Sequence, residues 1–475
     1  MPRVAPTLTE GSIVRALFSL AVPIVFANLL QTAYQLIDTF WVGRLGASAV
    51  AAVSLSFPVI FFLISLGLGL AVAGTILVAQ YQGRGDTAMV NRVSAQALIG
   101  VVAISLVLAV LGFIGAHAVV AFLGATDDVL PLATQYLRVS FVGLPFLFAY
   151  VIFQSLMRGV GDARTPLLIV TGTVALNFVL DPLFILGWGP VPGMGVSGAA
   201  LATVITQGLA AMVGLAMLFS GGYGIRLVRA HLVPDFALIW RLLKLGLPAA
   251  VEQSTRALGL MLMTVLVAGF GTITLAAYGI GTRMLSFVII PALGLSQASS
   301  ALIGQNIGAQ RIDRAERTAW LSAAIGFVLL SLVGVVSFVF ARPIITLFVP
   351  DAPAVIETGS LFVRITALAY GVVGAQIVLT GAFRGSGNTL IAMAIALVSQ
   401  WMLQFPIAWL LAERSGLGAT GIWIAYPIQN VLTALIVVVW FSRGTWKHRS
   451  VIEAPEPERA VSTYRPGSVT NTTLR

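Results

Sequence analysis

The feature that most restricts how this chain can fold is a series of long apolar runs in which charge is almost absent. Residues 47–79, for example, contain no Asp, Glu, Lys or Arg. A run of about 18 or more such residues is long enough to cross a bilayer as an α-helix. Only 9% of the 475 residues are charged, whereas soluble domains carry roughly 25%. The sequence therefore predicts an all-α polytopic membrane protein and excludes a soluble fold.

Glycine, proline and charged residues divide the apolar runs into twelve predicted transmembrane helices. We predict a cytoplasmic N-terminal arm at 1–12, an N-lobe at 13–220, a cytoplasmic linker at 221–239, a C-lobe at 240–442 and a disordered cytoplasmic tail at 443–475. The predicted spans are 13–42, 48–78, 93–119, 129–154, 165–187, 194–219, 240–268, 274–302, 317–342, 355–380, 388–412 and 418–441.

The basic residues predict the orientation of these spans. Lys and Arg gather in the terminal segments and in every second loop, as at Arg84, Arg158 and Arg311, while the opposite loops hold Arg44, Arg342 and Arg414. The positive-inside rule then places both termini in the cytoplasm of a cell-membrane protein. This asymmetry accounts for most of the net charge of +10, so no nucleic-acid partner is needed to explain it.

The second half of the chain repeats the first. VAQYQGRGD (78–86) matches IGQNIGAQR (303–311), which pairs Gln80 with Gln305, and LMRGVGDARTP (156–166) matches AFRGSGNTLIA (382–392). Six spans per repeat give both copies the same orientation, which predicts two six-helix lobes related by a pseudo-two-fold axis along the membrane normal. A cleft between two such lobes is typical of an alternating-access transporter.

Three acids lie in the interior of predicted spans, namely Asp38, Asp181 and Glu252. A carboxylate at the bilayer centre costs at least about 2.5–3.5 kcal/mol, so each needs a partner or a water-filled cavity. Asp38 lies about 35 Å along the first span and Asp181 about 24 Å along the fifth, at 1.5 Å per residue, which puts both in the outer half of the N-lobe. Asn177 shares a helix face with Asp181.

These two aspartates allow a functional and a purely structural interpretation. Asp38 could pair with Arg44 at the end of its helix, and Asp181 could cap a bend at Pro182. Two carboxylates that lie close together would instead repel each other, and binding of a proton or a sodium ion would relieve the repulsion. Asp38, Asn177 and Asp181 are therefore candidate oxygen ligands for Na⁺ as well as candidate proton acceptors.

Further polar residues in the spans are candidates for the wall of a substrate cavity. Asn28, Gln31 and Gln35 form a stripe on the first span that leads to Asp38, and Gln207 lies on the sixth. Side chains of this kind also form hydrogen bonds between helices in ordinary membrane bundles.

Glu252 has two candidate partners. One is Arg256 at i+4, and the other is Arg283 across the C-lobe. We assign Glu252 and Arg283 to the cavity as well.

At QLIDTFWVGRLG, MRGVGDARTP and NFVLDPLFILG…GVSGAALAT the chain resembles the multidrug and toxic compound extrusion (MATE) family, and within it the prokaryotic DinF-like branch. The resemblance covers about residues 10–442 and implies two six-helix lobes. It implies a cation site at Asp38, Asn177, Asp181 and Thr203, and a bend of the first helix near Pro23. Members similar to NorM also carry acids on the seventh and tenth helices, where this chain has only Glu252, so a second cation site of that type is not expected.

The resemblance implies a secondary active transporter that exports cationic, amphipathic drugs in exchange for H⁺ or Na⁺. We expect a monomer that is not an enzyme and needs no cofactor. No Gly-rich stretch ends in GK[ST], which argues against ATP-driven transport. Two alternatives remain open from the sequence, a lipid-linked oligosaccharide flippase of the same superfamily and an uncoupled channel or sensor.

Overall fold

The structure, a computed structural model, describes residues 8–448 and 451–452, so most of the predicted arm at 1–12 and of the predicted tail at 443–475 lies outside the described residues. The first half of the chain folds into six long helices. These are α1 (Ile13–Gly43), α2 (Ala47–Arg84), α3 (Thr87–Phe122), α4 (Leu130–Val160), α5 (Arg164–Leu186) and α6 (Val196–Ser220).

The second half is also helical but more interrupted. It contains α7 (Phe236–Ala268), α8 (Thr272–Gly308), α9 (Ile312–Val339), α10 (Ala341–Phe348), α11 (Pro353–Ala367), α12 (Tyr370–Gly385), α13 (Thr389–Arg414) and α14 (Ala419–Ser442). Two stretches of α13, Val398–Gln404 and Leu410–Arg414, have π-helical hydrogen bonding. Within the described ranges no β-strand forms, and the all-helical prediction is confirmed.

The number of helices that are long and apolar enough to count as membrane spans differs from the predicted twelve. Among the described residues ten helices are long and apolar enough to cross a membrane, and eleven if the bent pair α11 and α12 counts as one span. The remaining predicted span, 240–268, is the helix α7, but Glu252 and Arg256 in its interior lower its apolar character. Helix formation was therefore predicted correctly, while the count of apolar spans is ten or eleven.

The tenth predicted span, 355–380, is not one straight helix. The axes of α11 and α12 differ by 54°. Helix α12 lies against α9 through two glycines, because a Cβ on Gly374 would overlap the backbone of Gly326 and one on Gly371 would overlap Ser331. Helix α11 contacts α8, α9 and α10. Both α11 and α12 therefore pack against α8 and α9, and the hydropathy pattern contains no sign of the break between Ala367 and Tyr370.

Local signals explain where the helices begin and end. Asp86 and Asp235 accept hydrogen bonds from the first free amides of α3 and α7, as N-cap residues do. Gly85 and Gly161 end α2 and α4 with φ of 80° and 94°, a left-handed conformation that favours glycine. These four residues lie in the loops that the sequence predicted to be cytoplasmic.

The first helix of each half packs against the other half. Leu17, Leu20 and Ile24 of α1 share a buried apolar cluster with residues of α8, α9 and α12. Leu238 and Leu242 of α7 belong to the cluster formed by the first six helices. Helix α1 also contacts α5 through its other end, so it touches both halves. The two halves are thus joined by an exchange of their first helices.

Among the described residues the two halves are packed most tightly at one end. Residues 73–81 of α2 and 301–308 of α8 are all buried. At the opposite end of the same two helices large apolar side chains are exposed, such as Phe61 on α2 and Phe287 on α8. The halves therefore close together at the end where α2 and α8 terminate and separate toward the other end.

Candidate functional site

Helix α5 places an amide and a carboxylate in a fully buried position. Asn177 and Asp181 are both 0% exposed. They are one turn apart, so their side chains lie on the same helix face, and Asn177 Nδ2 donates to Asp181 Oδ1 over 2.8 Å. Pro182 follows directly and has no N–H, so α5 lacks the backbone bond to the carbonyl of Phe178. The expected pairing of Asn177 with Asp181 is present.

Helix α1 brings the second carboxylate to the same place. Asp38 and Asp181 are close enough for their charges to repel each other. Asp38 does not pair with Arg44, whose guanidinium lies 4.8 Å from the ring centres of Phe40 and Trp41 instead. The structure therefore groups the two aspartates and removes the ion-pair explanation for Asp38.

Three oxygen atoms of this cluster have no hydrogen-bond donor among the residues that the structure describes. They are Asp38 Oδ1, Asp181 Oδ2 and Asn177 Oδ1, and each is buried. Buried acceptors without a donor are unfavourable unless another group satisfies them. In the part of the chain that the structure describes, no group of three His, Cys, Asp or Glu side chains occurs, so a metal ion here would be held by two carboxylates and the Asn177 amide oxygen.

Two tyrosines belong to the cluster, and the sequence did not point to them. The hydroxyl of Tyr34 lies 3.2 Å from Thr206 Oγ1, and Thr206 Oγ1 also lies 3.0 Å from the carbonyl oxygen of Thr203, the predicted fourth member of the site. Tyr136 of α4 lies close enough to both aspartates for an electrostatic interaction with their carboxylates. Tyr34 lies one turn before Asp38, which is a weak sequence signal, whereas nothing on α4 marked Tyr136.

A cavity of about 100 Å³ adjoins these residues. Its polar lining comes from Tyr136, Ser140, Thr203 and Gln207, and apolar side chains of α2, α4 and α6 form the rest. Thr203 and Tyr136 therefore belong to both the acid cluster and the cavity. Gln207, predicted as a cavity residue, lines this space.

The polar stripe predicted on α1 forms no hydrogen bond with the two aspartates among the described residues. Gln31 and Gln35 are exposed and Asn28 is partly buried, and within the described ranges none of the three side chains bonds to the aspartates. Pro23 is buried, and α1 runs through it without a break from Ile13 to Gly43.

Glu252 lies in a separate cluster in the other half. It is 1% exposed, with Arg256 Nη2 3.0 Å from its Oε1 and Arg384 Nε 4.0 Å from its Oε2. Its partner across the lobe is thus Arg384 of α12 and not Arg283. Arg283 is exposed on the outer part of α8 and forms no ion pair with any described residue. Arg283 was considered because it shares the C-lobe with Glu252, but α12 carries the nearer cation.

A comparison with protein-family models gives two matches to the MatE model, at residues 23–183 and 248–410. Together these matches cover more than half of the chain, and they coincide with the two repeats.

The chain belongs to the MatE family. The resemblance found in the sequence is confirmed, and this MatE protein is a membrane transporter with a two-lobe helical fold. It is 30% identical over 458 residues to a probable multidrug resistance protein, YoeA, of Bacillus subtilis, covering 95% of this chain and 98% of that one. It is 28% identical over 436 residues to an FAD transporter of Shewanella oneidensis, covering 90% of this chain and 94% of that one.

A solved structure supports the fold of this MatE protein. The crystal structure of a MATE protein in complex with MaL6 superimposes with a TM-score of 0.88 at 23% identity, covering 94% of this chain and 98% of that chain. At this level of identity the likeness shows the shared fold and leaves the chemistry of the site to the residues present here.

Proposed function

We propose that this protein is a secondary active transporter of the cell membrane that exports cationic, amphipathic small molecules in exchange for H⁺ or Na⁺. The observation that carries the proposal is the pair of aspartates that α1 and α5 bring together, at a site where three buried oxygen atoms have no hydrogen-bond donor among the described residues. The relative named as a probable multidrug resistance protein supports the direction of transport and the substrate class.

The coupling site that we propose consists of Asp38, Asn177, Asp181 and Thr203. Entry of a proton or of Na⁺ neutralises one negative charge and reduces the repulsion between α1 and α5. The same neutralisation removes the attraction that the two aspartates exert on a cationic substrate. Ion and substrate therefore compete electrostatically, and uptake of the ion from outside releases the substrate. This cycle needs no cofactor and makes no covalent bond.

The topology that goes with this function is also part of the proposal. We assign residues 13–220 to the N-lobe and 240–442 to the C-lobe, with both termini in the cytoplasm and a monomer as the transporting unit. The clustering of Lys and Arg at the end where α2 and α8 terminate supports this orientation, as at Arg84 and Arg311. Helices α2, α8, α1 and α7 then border the substrate cleft between the lobes.

Transport by inside-out vesicles tests the proposal. Vesicles that contain the parent protein should accumulate a fluorescent lipophilic cation when a pH gradient or a Na⁺ gradient is imposed, and Asp38→Asn should lower the initial rate at least about tenfold. Asp127→Asn is the matched control, because Asp127 is an exposed carboxylate in the loop between α3 and α4. It should transport at the parent rate.

Each alternative predicts a different result in the same vesicles. A channel would equilibrate the cation without either gradient, and a lipid-linked oligosaccharide flippase would move no lipophilic cation at all. Accumulation that persists unchanged in Asp38→Asn would show that this aspartate does not couple transport to the ion.

A further inference from the structure

Two buried glutamines cross between the lobes at the end where α2 and α8 terminate. Gln80 of α2 is 0% exposed and its Nε2 donates to the carbonyl oxygen of Gly385 at the end of α12, over 3.3 Å. Gln305 of α8 is 2% exposed and its Nε2 donates to the carbonyl oxygen of Gly159 at the end of α4, over 2.8 Å. Each glutamine thus belongs to one half and bonds to the backbone of the other.

The sequence repeat makes these two bonds equivalent. Gln80 corresponds to Gln305, and Gly159 corresponds to Gly385 in the matched segments 156–166 and 382–392. The contact is therefore reciprocal, as in a two-fold interface where each side offers the same residues to the other. A chance pair of polar contacts would not fall on repeat-matched positions on both sides.

Two glycines let the helices approach closely enough for these bonds. A Cβ on Gly83 would overlap the carbonyl group of Gln305, and a Cβ on Gly308 would overlap the carbonyl group of Gln80. Both glycines have ordinary helical conformations, so the requirement is one of space and not of backbone torsion. Any larger residue at either position would push α2 and α8 apart.

The chemistry of the contact suits an interface that opens and closes. A buried amide that loses its partner is unfavourable in a dry interior, but the same amide is readily hydrated once water enters. Gln80 Oε1 has no hydrogen-bond partner among the described residues, which further limits the net gain from closure. Two reversible polar bonds across a glycine-lined seam thus add to the apolar contacts that join the lobes.

We propose that Gln80 and Gln305, with Gly83 and Gly308, form a clasp that holds the lobes together at this end and that opens once in each transport cycle. The inference rests on the proposed function in one respect, since only alternating access requires opening here. In this role the four residues set the equilibrium between the state that is closed at this end and the state that is open at this end. They do not touch the ion or the substrate.

Distance measurements between spin labels test the clasp without any transport assay. The chain contains no cysteine, so Ala88→Cys on α3 and Asp313→Cys on α9 give one label on each lobe at exposed, repeat-matched positions beside the clasp. The parent should show mainly short distances. Gln305→Ala should raise the ratio of long to short distances between roughly twofold and tenfold, the range expected for loss of one hydrogen bond. Gln80→Ala, whose bond is longer, should give a smaller increase.

The matched control is Gln96→Ala. Gln96 is also a buried glutamine, 1% exposed, whose Nε2 donates to backbone carbonyl oxygens, but its partners His231 and Val233 lie in the segment between α6 and α7 and not at the clasp. Its loss should leave the distances unchanged. Gly308→Ala should remove the short-distance population. If the Gly308→Ala protein does not fold, the Gln80→Ala and Gln305→Ala distances alone test the clasp.

Two results would overturn the clasp. One is an unchanged distance distribution in the Gln80→Ala, Gln305→Ala double variant. The other is equal lengthening in Gln96→Ala, which would indicate general loosening. Failure of the proposed function has a different signature, because normal cation accumulation by Asp38→Asn would contradict antiport at this site while leaving the label distances as described.

Discussion

Asn177 shows how one neutral residue can control a charged site. Its amide gives Asp181 the one hydrogen bond to that carboxylate found among the described residues, while its own Oδ1 remains available to a cation. The nitrogen of Asn177 therefore donates to the carboxylate of Asp181, while its oxygen can coordinate an incoming cation. Aspartate at the same position would add a third repelling charge, and leucine would remove both functions.

We expect Asn177→Ala to lose ion-coupled efflux and to lower the free energy of unfolding by about 1–3 kcal/mol, because a buried carboxylate loses its donor. Thermal unfolding in detergent and vesicle uptake measure the two effects. Asn430→Ala is the matched control, since Asn430 is 6% exposed on α14 and donates to the carbonyl oxygen of Tyr426 in the other lobe. It should lose stability but keep coupling. Equal loss of coupling in both variants would contradict a special role for Asn177.

The charged residues of the candidate site could be predicted from the sequence, because charge is rare in the membrane spans. Asp38 and Asp181 stood out because the surrounding spans avoid charge, and Asn177 followed from its spacing on one helix face. Tyr34 and Tyr136 were missed, since tyrosine is common in membrane helices and its contact with an acid on another helix depends on packing. Of the two cations at Glu252, Arg256 was predicted from its i+4 spacing, and Arg384 was missed because it lies far away in the chain.

At the scale of helices, α1 joins two regions with different environments. Its first part is buried against α8, α9 and α12, while the part around Asp38 contacts α5. Pro23 lies within the first part, next to the buried Ile24, and cannot donate to the carbonyl of Ser19, so the helix lacks one backbone bond there. A missing bond at this place lowers the cost of bending.

We expect Pro23→Ala to restore that backbone bond and to reduce the rate of efflux severalfold, with equal or greater thermal stability. Its transport rate and melting temperature are the two measurements. Pro145→Ala in the interior of α4 is the control, since α4 does not carry a candidate coupling carboxylate. Unchanged efflux by Pro23→Ala would remove the hinge that we predict in α1.

Hydropathy predicted the helices better than it predicted their continuity. The runs at 48–78 and 93–119 correspond to α2 and α3, which extend further because their ends pack against other helices. The bend of 54° that divides 355–380 into α11 and α12 has no counterpart in the hydropathy pattern. The count of ten or eleven apolar spans leaves out α7, because Glu252 and Arg256 lower its hydropathy, although Glu252 is paired with Arg256 and Arg384.

At the scale of the whole molecule, the internal repeat predicted two lobes but not how they are joined. The leucines at 238 and 242 of α7 are buried in the cluster of the first half, and Leu17 and Leu20 of α1 in that of the second. The first helix of each half therefore completes part of the apolar interior of the other half. Matching the two repeats identifies equivalent residues. It does not show that α1 packs against the second half or that α7 packs against the first.

We expect a chain cut after Arg229, which is exposed in the segment between α6 and α7, to function only when both pieces are present. Each piece alone leaves the buried face of α1 or α7 without its cover, so it should aggregate or be degraded. Co-expressed pieces should co-purify and restore efflux. A stable, monodisperse N-terminal piece on its own would show that the exchange of first helices contributes little to folding.

The exchange of α1 has a mechanical consequence for the transport cycle. A single continuous helix has the Asp38 carboxylate near one end and the interior of the opposite lobe around the other. A movement of α1 that follows a change of charge at Asp38 therefore reaches the opposite lobe through the helix itself, and Pro23 is the point at which the helix can bend. Signalling between the lobes then requires no chain of small side-chain rearrangements, because one helix already spans both.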